Sequence, residues 1–135
     1  MKILNFGSLN IDYTYRIDHF VKGGETISAS TMQKNIGGKG LNQSVALAKA
    51  GAEVYHAGCI GQDGEFLVKY LQENDVNTDH ILVGETATGH AIIQLDDKGQ
   101  NCIIIYGGAN TQITTEHIVP TGVENVDLIC ASLRI

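Results

Sequence analysis

The sequence is short of several things. One proline stands against sixteen glycines, and tryptophan is absent from the 135 residues. That composition is far from a collagen or low-complexity signature, so the glycines serve particular turns and sites. Basic residues are few: 9 Lys and Arg against 15 Asp and Glu leave a formal net charge of −6. Without a basic stripe, a nucleic-acid partner is not expected. No apolar run reaches membrane-spanning length, so no membrane partner is expected either. The opening MKILNFGSLN turns polar too soon for a signal peptide, and a cytoplasmic location is expected. Cys59, Cys102 and Cys130 form no CxxC pair. Each lies in an apolar, strand-like run and is expected to be a reduced, buried core thiol.

What is present fits one globular domain: 43% hydrophobic and 18% charged residues. Residues 2–8 read as a short buried strand ending in glycine. Residues 12–18 and 26–35 alternate polar and apolar, with Gly23-Gly24 as the turn between them. Leu41, Val45 and Ala48 then fall on one helical stripe that ends at Gly51. A strand is expected over 53–60 and a helix over 65–74. A hairpin is expected over 88–96 and 101–106, around Asp97-Lys98-Gly99. A short helix at 114–119 and a buried strand at 126–131 complete the pass. Alternating strands and helices predict an α/β domain with a mostly parallel sheet, and 12–35 and 88–106 predict a small accessory sheet.

Two segments carry chemistry. Gly37-Gly38-Lys39-Gly40-Leu41-Asn42-Gln43 places glycines at a helix start, where backbone N–H groups approach an anion or a hydroxyl oxygen. It is not a Walker A loop: Gly40 replaces the Ser/Thr after Gly-Lys, and Gln33 replaces the first glycine. Gly7-Ser8-Leu9-Asn10-Ile11-Asp12 follows the first strand, where open α/β sheets bind ligands. Asn10 and Asp12, two apart in an extended segment, point the same way. An amide and a carboxylate together suit vicinal hydroxyls. The five histidines show no zinc-like spacing. Asp63 and Glu65 read as helix N-terminal charges, and Asp96-Asp97 as a solvated hairpin tip.

GSLNID, GGET, GGKGLNQSVALAKAGA and ATGHAIIQLDDKGQNCIIIYGGAN, in this order, resemble the N-terminal half of ribokinase-type sugar kinases of the PfkB family. The resemblance runs from about residue 2 to about residue 130. It implies a three-layer, Rossmann-like α/β fold with a small β lid, truncated after about half of the family domain. It implies that Asn10, Asp12, Gly38, Lys39 and Asn42 contact a small-molecule sugar, and that Gly108-Ala109-Asn110 is the motif after the lid hairpin. It implies ATP and Mg²⁺ for a full-length member, with none expected on these 135 residues alone, and a homodimer through the lid sheet.

The departures are equally specific. The family's second signature, a Gly-x-Gly-Asp run bearing the catalytic aspartate, does not occur here, so no catalytic residue is assigned. Ser132 and Arg134 stand where a family strand ends in Gln-x-Glu, Phe66 where glycine is common, and no proline precedes Gly24-Glu25. The first expectation is therefore a kinase for a ribose-like sugar, seen through its sugar-binding part. The alternatives are an inactive sugar-binding or dimerisation module, and a nucleoside kinase of the same fold.

Overall fold

The computed structural model describes residues 1–114 and 125–132. Its strands are β1 (Lys2–Gly7), β2 (Asn10–Arg16), β3 (Thr31–Gly37), β4 (Glu53–Ile60), β5 (Val76–Val83), β6 (Gly89–Leu95), β7 (Asn101–Tyr106) and β8 (Leu128–Ser132). The helices are α1 (Lys39–Lys49) and α2 (Glu65–Glu73), with 3-10 turns at Gln62–Gly64 and Gly108–Gln112.

Two four-stranded sheets result. The first has the order β5-β4-β1-β8 and all its pairings are parallel. The second, β3-β2-β6-β7, joins two antiparallel hairpins through a parallel β2–β6 pairing. The α/β class and the small second sheet are thus as expected from the pattern.

The helical stripe of α1 buries Leu41 and Val45, and α2 buries Leu67 and Leu71. They pack with Leu9, Ile11, Val54, Ile60 and Val76 into one core. Each fully buried leucine contributes roughly 2 kcal/mol of transfer free energy. Gly51 N–H donates to the Ala48 carbonyl at 2.9 Å and Ala52 N–H to that of Leu47 at 3.2 Å, which closes α1 where the sequence places its end.

Several expectations change. The strand expected at 26–35 is Thr31–Gly37, since its partner β2 begins at Asn10 and ends at Arg16, opposite Thr31. Residues 17–30 leave the sheet as an excursion, anchored where Ser30 N–H meets the Arg16 carbonyl at 2.9 Å. β5 has no counterpart among the expected elements. Cys59 is buried, but Cys130 is half-buried and Cys102 is exposed. Cys102 lies on β7, an edge strand of a thin sheet whose residues are all exposed, so an apolar run there does not mean burial. The short helix expected at 114–119 falls mostly outside the described residues. Among the described residues no helix is long and apolar enough to cross a membrane.

Candidate functional site

The two candidate segments meet at the carboxyl end of β1. The β1–β2 turn and the first turn of α1 touch backbone to backbone, with Leu41 N–H donating to the Ser8 carbonyl at 3.1 Å. A methyl group on Gly7 or on Gly40 would overlap the other residue's backbone. Gly38, between β3 and α1, has φ +103°, and a Cβ there would lie 2.5 Å from the Ser8 carbonyl oxygen. Both its conformation and its surroundings therefore require glycine.

Asn10 and Asp12 sit on β2 beside this seam, half-buried. The Asp12 carboxylate leans over Gly37, where a Cβ would approach its oxygens to 2.5 Å. Burial raises its carboxyl above the ordinary value. It has no hydrogen-bond partner among the described residues. Asn10 Oδ1 accepts from Asn110 Nδ2 at 2.7 Å, which leaves the Asn10 amide N–H groups directed elsewhere. Lys39 and Asn42, at the start of α1, are exposed. The structure thus brings all five sequence-predicted residues, Asn10, Asp12, Gly38, Lys39 and Asn42, around one seam.

Strand register adds a wall that the sequence does not reveal. Asp12 pairs with Ala91, and Ala91 with Ile105, so these side chains share one face of the second sheet. Tyr13, Ile92 and Ile104 share the opposite face. The wall depends on the parallel β2–β6 pairing, which no local signal announces.

Asn110 is a second addition. It lies in the Gly108–Gln112 turn and is buried. Its Oδ1 accepts from Leu9 N–H at 3.0 Å, and its Nδ2 donates to the Leu9 carbonyl at 3.3 Å as well as to Asn10. One side chain thus holds the backbone before Asn10 and orients the Asn10 amide. A third addition is Asp63, expected as a helix charge. Its Oδ1 accepts from Thr88 N–H at 2.9 Å and from the Thr88 hydroxyl at 2.6 Å, tying the end of β4 to the start of β6. Burial pushes the Asp63 carboxyl up, but the two Thr88 donors, its own backbone N–H and the nearby His90 together hold the group below its ordinary value.

A ribokinase of Staphylococcus aureus (strain COL) is 33% identical over 140 residues, covering 99% of this chain and 46% of that protein. The structure of a ribokinase from Cryptococcus neoformans var. grubii serotype A in complex with ADP matches with a TM-score of 0.84 and 36% identity, over 96% of this chain and 40% of that one. The structure of Arabidopsis thaliana ribokinase complexed with ribose and ATP matches with a TM-score of 0.73 and 41% identity, over 80% of this chain and 36% of that one. The fold is ribokinase-like, and the chain spans less than half the length of these relatives. Residues 1–132 match the model of the pfkB family carbohydrate kinases, and the chain belongs to that family.

Proposed function

We propose that this chain is the sugar-binding part of a cytoplasmic kinase that phosphorylates a hydroxyl of ribose or a ribose-like sugar. The carrying observation is the pair Asn10 and Asp12. The Asn10 amide is turned by Asn110 so that its N–H groups are left over, and the Asp12 carboxylate is left without a partner among the described residues. A vicinal diol answers both: its hydroxyls donate to the carboxylate and accept from the amide. Lys39, Asn42 and the backbone at Gly38 supply further polar contacts from the helix start. Ala91 and Ile105 face the C–H side of the ring. The second sheet acts as a lid over the sugar, keeping water from the transferable phosphoryl group.

When bound, ATP supplies the phosphoryl group and Mg²⁺ neutralises its charge. The Gly-x-Gly-Asp run that the family resemblance assigns to the phosphate and the catalytic aspartate does not occur in this sequence. The described residues bind and orient the sugar, and residues 1–135 alone are expected to transfer no phosphate. The lid also carries the dimer contact in this reading. Ile104 and Tyr106, on the face of β7 opposite Ile105, are 64% and 50% exposed and offer apolar surface for such a contact.

Calorimetry with ribose, fructose and adenosine tests the proposal. Ribose is expected to bind best, and Asp12→Ala to weaken it by roughly ten- to a hundredfold, the loss of one hydrogen-bonded charge. Tighter binding of adenosine would make the substrate a nucleoside. No heat with any of the three would refute the sugar site.

A further inference from the structure

Beneath the seam runs a buried polar chain that no sugar contact uses. Asn5 on β1, Ser44 on α1 and His56 on β4 are each 0% exposed. Asn5 Nδ2 donates to Ser44 Oγ at 2.8 Å and to the Gly40 carbonyl at 3.0 Å. Ser44 Oγ lies 2.7 Å from His56 Nδ1, and His56 Nε2 lies 3.2 Å from the Gly7 carbonyl oxygen. A carbonyl only accepts, so His56 Nε2 carries a proton. The neutral imidazole is then bare at Nδ1 and accepts from the Ser44 hydroxyl, which itself accepts from Asn5. The direction of every bond is fixed, and the two ends land on Gly40 and Gly7, the pair whose backbones touch.

We propose that Asn5, Ser44 and His56 are positioning residues, a one-way relay that clamps the first turn of α1 to the β1–β2 turn and so sets the spacing between Asn10–Asp12 and Gly38–Asn42. The clamp stands on the geometry alone, while its effect on ligand rests on the sugar-site reading above. Three apolar residues would fill this volume without desolvating polar groups. A relay adds direction, which an apolar plug lacks. No charge acts on the His56 ring: it meets Ser44 and the Gly7 carbonyl, Asn5 stands in register on β1 with Cys130 beyond it on β8, and on β5 the register slips past it between Asn77 and His80, where Asp79 is exposed and bonded to Asn77. Burial in this uncharged shell keeps the imidazole neutral, with its pKa lowered to about 4.

The test uses the protein as it occurs in its cell. Nitrogen-15 spectra of His56 at pH 7 are expected to show the neutral ring protonated at Nε2. Ser44→Ala is expected to mix the tautomers, to raise amide exchange at Leu41 at least tenfold relative to Leu71 of α2, and to weaken ribose binding about tenfold. Ser44→Thr, which keeps the hydroxyl, is expected to restore all three. A wild-type ring protonated at Nδ1, equal acceleration at Leu41 and Leu71, or unchanged ribose affinity in Ser44→Ala would overturn the relay. If Ser44→Ala does not fold, acid titration of the wild type decides: protonation of His56 must free Leu41 before Leu71. Failure of the wild type to bind ribose would sink the sugar reading instead, and the exchange measurements would still judge the clamp.

Discussion

Acid should destabilise this protein through the buried His56. His56 is buried as the neutral ring, with its pKa lowered to about 4 from the ordinary 6.5 by desolvation, against a small opposing pull from the Gly7 carbonyl. The unfolded chain binds a proton at His56 below pH 6.5, while the folded chain does not until near pH 4. Stability therefore falls as pH drops through this window and levels off below it. A shift of this size corresponds to about 3 kcal/mol, a large share of the 5–15 kcal/mol that holds a typical domain. The assay is urea unfolding of wild type and His56→Gln at half-unit steps from pH 7.5 to 4. Glutamine can donate to Gly7 and accept from Ser44 but does not titrate. Carboxylates such as Asp12, raised by burial, and Asp63, lowered by Thr88, titrate in both proteins and cancel in the difference. The wild type is expected to lose about 3 kcal/mol more than His56→Gln between pH 6.5 and 4. Parallel curves would refute the reasoning, because they would mean that the ring charges without cost.

Three further outcomes are expected. Gly38→Ala combines a left-handed backbone with a Cβ pressed on the Ser8 carbonyl, and should destabilise by about 2 kcal/mol or more, read by thermal melting. Asn110→Ala leaves the buried Leu9 N–H unpaired and frees the Asn10 amide. It should cost roughly 1–3 kcal/mol, and calorimetry should show ribose binding weakened by about tenfold. If the proposed dimer forms through the second sheet, Ile104→Lys on β7 should lower its sedimentation coefficient to that of a monomer with little change in ribose affinity.

Where a segment's structure follows from its own spacing, the sequence reveals it. The α1 stripe, the Gly51 stop, the hairpin turn at Asp96–Gln100 and the glycine cluster are all of this kind. Asn10 and Asp12 point together because β2 is extended, and that too is local. Pairings across the chain are hidden. The β5 segment VNTDHILV is polar over four successive residues, Asn77 to His80, and its register slips against β4 between Tyr55 and Ala57, which blurs its alternation. The end of β2 depends on where β3 meets it, so the 26–35 boundary was set by a partner rather than by its own pattern. Asn110 reaches Leu9 across 101 residues, and Asn5 reaches Ser44 across 39. Asn110 stands in a motif that the sequence marks, but its grip on Leu9 is hidden there, and Asn5 looks like an ordinary polar side chain until the fold brings Ser44 to it.

The strand order also dictates a schedule of synthesis. The second sheet is complete once Tyr106 has been made, whereas β1, central in the first sheet, finds its partner β8 only at Leu128. From Ile60, where β4 ends, to Leu128 the ribosome adds 68 residues. At the usual 5–20 residues per second this takes roughly 3–14 s, far longer than collapse or hairpin formation. During that interval a nascent β1–β4 pair carries an open parallel edge along β1. Of the two described sheets the second is thus formed while the first still waits for β8, and the newborn chain most needs shielding along β1.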